Sequence, residues 1–259
     1  MRYVSSWTHF AALVAISFFL MSCQKPLDLE AGLPQASNFN VTKTTAFPGV
    51  VKVISSTGYC SGTIVSNKAV LTAAHCTLQS GEYTVVGNFG SASTNTHYNF
   101  GSGSINDARD ISLLVFPDGT FPADHIIKIA DSIRSGDTAT LVGYGCNDLT
   151  SRTGGGVKRA GTNQVAHLGA YVEFYTPVSS SYYRGIIGPD NRAGSCSGDS
   201  GGPALKEING EWKLAAVTHA GGVLGSTIIS QYVDISNRSD NRGFISDVNR
   251  SENLGIEGF

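Results

Sequence analysis

The sequence predicts an all-β protein. Three observations carry this reading. Of 259 residues 31 are glycine, only 15% are charged, and the apolar segments are short and separated by Gly, Ser, Asn and Thr clusters. Runs of helix-favouring Leu, Glu, Lys and Ala are scarce. An apolar content of 41% suffices to bury a core.

The elements follow in order. Residues 50–54 read as the first strand, 63–65 and 69–72 as a hairpin pair, and 83–86 as a fourth strand. Residues 87–104 are rich in Gly, Ser and Asn and read as loop around one further strand. Residues 111–116 form a continuous apolar run, the pattern of a buried strand. Residues 117–133 link two halves, and 138–144 begin the second. Gly154-Gly155-Gly156 is loop. Within 170–176, Tyr171, Glu173 and Tyr175 alternate with Val172 and Phe174, as on a strand with two unlike faces. Residues 213–217 and 228–233 complete the recognisable strands, and 244–249 read as a short terminal helix.

Residues 1–22 are a separate object. Arg2 opens a polar stretch, and residues 10–21 are apolar. That run is too short to span a bilayer comfortably and suits a signal-peptide core. It ends in Leu20-Met21-Ser22-Cys23, which resembles a bacterial lipobox, where cleavage precedes a cysteine that carries lipid. The expected product is exported and anchored by lipid on Cys23, in the periplasm or at the cell surface; ordinary secretion is the other reading. Residues 23–45, polar and containing Pro26 and Pro34, read as a tether or propeptide, and residues 46–259 as the folded unit.

The net charge is −2 and no basic stripe occurs, so there is no electrostatic reason to expect nucleic acid as a partner. Besides Cys23 there are four cysteines, Cys60, Cys76, Cys146 and Cys196. An even number in an exported chain points to disulfides, with three possible connectivities. No pair has the close spacing of zinc ligands, and neither a metal nor a cofactor is expected.

Three segments carry chemistry: Leu71-Thr72-Ala73-Ala74-His75-Cys76, Asp110-Ile111-Ser112-Leu113-Leu114 and Gly198-Asp199-Ser200-Gly201-Gly202-Pro203. A serine hydroxyl at neutral pH needs a nearby base to attack a carbonyl, and a histidine has the proton affinity to serve. Asp107 is a nearby competitor of Asp110 as the acid beside that histidine. In sequence and order the three segments resemble the chymotrypsin/trypsin family of serine endopeptidases, from about residue 47 to residue 248.

The resemblance implies two packed six-stranded antiparallel β-barrels, about residues 46–125 and 134–250, with a short C-terminal helix. It implies Ser200 as nucleophile, His75 as general base and Asp110 as the group that orients the histidine. The backbone N–H groups of Gly198 and Ser200 would form the oxyanion hole. It also implies a Cys60–Cys76 bridge. In that fold the Gly143-Tyr144-Gly145 loop passes beside the loop before the nucleophile, which makes Cys146 the implied partner of Cys196. Protein or peptide substrates and a monomer are expected. A catalytically silent surface binding or adhesion module is the alternative.

The chain departs from the family at two places. No Ile/Val-Val-Gly-Gly amino terminus lies between Cys23 and Phe47 to pair with Asp199, the aspartate before the nucleophile. The expected partner is a terminus cut elsewhere in the tether, or an internal cation, Lys158 or Arg159. Gly194 stands where trypsins carry the acidic floor of the substrate pocket. The other pocket candidates are Ser195, Thr218, His219 and Ala220. Of these, His219 with Ser195 looks somewhat like the carboxylate-holding pair of glutamyl endopeptidases.

Overall fold

A computed structural model of the chain describes residues 42–148, 151–177, 192–225 and 227–258. The signal peptide, Cys23 and the tether up to residue 41 lie outside these residues. The strands are β1 (Thr42–Lys43), β2 (Val50–Ser55), β3 (Gly58–Ser66), β4 (Ala69–Thr72), β5 (Tyr83–Gly87), β6 (Gly90–Thr94), β7 (Thr96–Phe100) and β8 (Ile111–Val115). They continue as β9 (Thr138–Gly143), β10 (Arg159–Leu168), β11 (Val172–Pro177), β12 (Pro203–Ile208), β13 (Glu211–Leu224) and β14 (Thr227–Asp234), before helix α1 (Ser239–Ser251).

The strands form two antiparallel sheets. The second runs β1-β10-β11-β14-β13-β12-β9, and β9 pairs back onto β10, so six strands close into a barrel. The first runs β6-β5-β2-β3-β4-β8-β7 and curls without a hydrogen-bonded seam among the described residues. Its edge strands β6 and β7 are consecutive in the chain, joined through Asn95. A single bent strand thus serves both edges of the curl, and Thr94 Oγ1 donates to the Val115 carbonyl across the corner. The expected all-β, two-barrel architecture is present, with the first half a curled half-barrel and not a closed one.

Alternation builds the cores. On β2, Val51 and Val53 point into the first curl, whereas Val50 points to the seam between the halves. On β8, Leu114 faces inward and Ile111 and Leu113 face the seam, so both faces are buried. That explains the continuous apolar run. Phe174, Val172 and Tyr232 fill the second barrel, and Ile245 and Val248 of α1 pack into the seam cluster. Removing a large buried side chain from such a core costs about 3–5 kcal/mol.

The sequence reading misses β1, β10 and β12, and has one strand where β6 and β7 lie. Strand β10 is polar and half-exposed, RAGTNQVAHL, and is held by backbone pairing to both β9 and β11. Ahead of residue 46, Thr42 and Lys43 pair with Ala160 and Arg159. Both are exposed, so no apolar pattern announces this strand.

Candidate active site

Register brings the first two motifs together. In the β4–β8 pair Thr72 lies opposite Ser112. Beyond Thr72 the chain runs into a short 3-10 turn, Ala74–Cys76, and before Ser112 lies Asp110. Antiparallel pairing therefore sets His75 beside Asp110 at one end of the strand pair. The contact is double. His75 Nδ1–H donates to Asp110 Oδ2 at 2.6 Å, and the His75 backbone N–H donates to Asp110 Oδ1 at 2.8 Å. The Cys60–Cys76 disulfide pins the turn back to β3, and a 16-residue loop closure contributes on the order of 3 kcal/mol.

Asp107, the competing acid, turns elsewhere. It accepts from the backbone and hydroxyl of Ser102 and pairs with Arg109 at 2.9 Å.

The third motif comes from the second barrel. The Ser200 carbonyl accepts from the Ser61 N–H at 2.8 Å, and the Gly201 N–H donates to the Thr218 carbonyl at 2.8 Å. Gly201 packs against Thr72 and Ala73, the residues that lead into His75, with no room for a side chain. Ser200 Oγ and His75 Nε2 are both buried and neither has a hydrogen-bond partner. Two unpaired polar atoms buried on adjoining segments are costly in a purely structural site.

Gly198 sits at φ +96°, in the left-handed region, and a Cβ there would lie 2.6 Å from the Tyr59 ring. Ser61 Oγ donates to the Gly198 carbonyl and accepts from the Tyr144 N–H, each at 2.9 Å. Among the described residues, no acceptor takes the N–H of Gly198 or of Ser200. Ser61 was not singled out in the sequence; its one signal is its place directly after Cys60.

The Cys146–Cys196 disulfide forms as the resemblance implies, with Cα atoms 5.3 Å apart. It ties the Gly143-Tyr144-Gly145 loop to the Ser200 loop. Asp199 lies between these loops, where its carboxylate accepts from the Gly145 N–H at 2.7 Å and the Cys196 N–H at 2.9 Å. Burial pushes its carboxyl up to about 6, against these two bonds and the attraction of Arg159.

Of the two candidate cations, Arg159 is the one near Asp199. Both line one small cavity with Gly143, Gly145, Gly194 and Tyr232, and Arg159 Nη1 donates to the Gly145 carbonyl at 3.2 Å. Lys158, which directly precedes β10, is corrected: its Nζ donates to the Phe47 carbonyl at 3.0 Å and not to Asp199.

The pocket candidates divide. Ser195 Oγ is buried without a partner, while its N–H donates to Ser230 Oγ at 3.0 Å. Thr218 Oγ1 donates to the Gly202 carbonyl at 2.9 Å and so supports the serine loop. Ala220 is buried. His219, expected among the pocket residues, has both ring nitrogens engaged. Its Nδ1 bonds Asp110 Oδ2 at 2.6 Å, and its Nε2 bonds the Ile105 carbonyl at 3.0 Å. A bulge in the β13–β14 pairing between Thr218 and Ala220 displaces it from the regular alternation.

His75, Asp110 and His219 bring three ligand-type atoms within 4.8 Å of one another. The N–O separations of 2.6 Å are those of hydrogen bonds. Ligands around a shared zinc ion, each at about 2.0–2.1 Å, would stand roughly 3.3 Å apart.

A family model described as Trypsin matches residues 37–240. This chain belongs to the trypsin family. Chymotrypsin-like elastase family member 1 from Bos taurus is 26% identical over 194 residues, covering 65% of this chain and 70% of that protein. A solved structure of a Glu endopeptidase in complex with MPD shares the fold with a TM-score of 0.61 at 17% identity, covering 81% of this chain and 96% of that one. Membership of the trypsin family makes this chain a serine protease by family, acting on protein or peptide bonds.

Proposed function

We propose that this protein is an exported serine endopeptidase that cleaves peptide bonds through Ser200, His75 and Asp110 by way of an acyl-enzyme. The observation that carries this reading is the doubly held His75, whose outer nitrogen is buried and unpartnered on the segment that adjoins the unpartnered Ser200 hydroxyl. Asp110 keeps the proton on Nδ1 of the neutral ring, which leaves Nε2 as the base. Ser200 Oγ attacks the carbonyl carbon as its proton passes to Nε2. Negative charge gathers on the carbonyl oxygen, and the Gly198 and Ser200 N–H groups receive it. Collapse expels the amine with the proton from Nε2, and water releases the acyl group by the same steps in reverse.

The neutral Gly194 argues against a preference for Arg or Lys side chains. The apolar leader and the cysteine at its end support export, with the lipid anchor on Cys23. A fluorophosphonate probe tests the chemistry. The native protein should be modified at Ser200 and should cleave a peptide library, and Ser200→Ala should do neither. A folded, mature protein that never labels would favour the silent binding module.

A further inference from the structure

The Asp110 carboxylate is shared. His75 and His219 both place Nδ1 at 2.6 Å from the same oxygen, Oδ2. Their rings meet edge to face with centroids 6.4 Å apart. Asp110 itself is fully buried, and His219 is 3% exposed.

The proton inventory of His219 follows from its partners. A neutral imidazole has one N–H and one bare nitrogen, and only the imidazolium donates from both. Nδ1 faces a carboxylate and Nε2 faces the Ile105 carbonyl, both pure acceptors. A neutral ring would leave a lone pair against one of these oxygens. Tyr171 supports the arrangement: its ring stacks on His219 at 5.0 Å and 6°, and its hydroxyl donates to the same Ile105 carbonyl at 3.1 Å.

We propose that His219 is a buried imidazolium and a positioning residue for the histidine base, the standing counter-ion of Asp110. The inference rests on the peptidase reading for its effect on rate, but not for its statement about protonation. Asp110 and His219 together are neutral, so the resting site buries no net charge, and a lone carboxylate there would be costly. The second donor also fixes Oδ2 for His75. The cation also sets the electrostatic field in which the histidine base takes up its proton.

The surrounding charges fit. Asp107 adds attraction from the loop before β8, although its carboxylate is held by Arg109 and Ser102. Arg238 acts on Tyr171 from the far side. Burial would strip the proton from His219, and the bond and charge of Asp110 outweigh it, raising its proton affinity.

Nitrogen-15 NMR of the native protein at pH 7.5 tests the protonation directly, whether or not the protein is active. Both ring nitrogens of His219 should carry protons; a bare nitrogen on His219 overturns the proposal. The pH profile of kcat/KM tests the consequence. His219→Asn keeps an N–H near the Nδ1 position and removes the charge. Its acid limb should move up by about one pH unit, a roughly tenfold loss on that limb with the plateau less affected. An unmoved limb in a folded, fluorophosphonate-reactive variant overturns it. Absence of Ser200 labelling in the native protein defeats the peptidase reading instead, and the NMR result then decides the protonation alone.

Discussion

Asp110 grips His75 at two points, one carboxylate oxygen on the ring Nδ1 and the other on the backbone N–H of the same residue. The acid therefore fixes the ring and the turn that carries it. Burial would push the Asp110 carboxyl up, but the bonds from His219 and His75 outweigh burial and hold it well below the usual carboxylate range.

Asp110→Asn should leave a folded protein with kcat lowered on the order of 10⁴-fold, the loss that follows in this family from the wrong imidazole tautomer. Steady-state hydrolysis of a peptide ester or amide checks this, with circular dichroism as the folding control. A loss under tenfold would show that Asp110 does not set the tautomer.

Gly198→Ala should damage the loop that offers the two free N–H groups. The backbone is left-handed at φ +96°, and the added methyl would meet the Tyr59 ring at 2.6 Å. Loss of one oxyanion donor lowers kcat by about 10²–10³-fold. The strain adds a stability cost on the order of 1–3 kcal/mol. Rates and urea midpoints measured on one preparation separate the two effects.

Asp199 gives a pH dependence of defined sign. Its carboxyl is raised to about 6 in the folded protein from an ordinary value of 3.8. The folded state thus binds the extra proton, and this stabilising contribution is full below 3.8 and lost as pH rises through about 6. Arg159→Met removes the nearby cation. It should cost more at pH 8, where Asp199 is charged, than at pH 5, by about 1.4 kcal/mol for each further unit of upward shift. Equal costs at both pH values in urea unfolding would show that Arg159 acts only through its hydrogen bonds to Gly145 and Val157.

Replacing Cys60 and Cys76 together by Ala should lower stability by about 3 kcal/mol. It should also lower activity, because Cys76 ends the turn that carries His75. A thermal melt and a rate measurement on the double variant check this. Intact activity would place the positioning of the turn in the Asp110 contacts alone.

Much of the site is legible in the sequence because chemistry needs contiguous residues there. The segments around His75, Asp110 and Ser200 each combine a reactive side chain with the turn or strand that delivers it, and the cysteines announce their loops. Strand β11 shows in its alternation, and β2, β5 and β9 show as short apolar segments. Strands β1 and β10 do not, since backbone pairing to neighbours distant in sequence holds them and their side chains carry little apolar signal.

By itself the sequence determined the all-β class, the three residues proposed to react and the family resemblance, all properties of local pattern. Tertiary structure alone decided the partners. It turned Lys158 to the Phe47 carbonyl and Arg159 to the Asp199 cavity, two adjacent residues at the start of β10 with different partners. It also set His219 on the oxygen that His75 uses, across 109 residues from Asp110. Hydrogen bonds are decided over about 3 Å in space. Separation along the chain carries no record of that distance until the sheets close and bring β8 and β13 to the same seam.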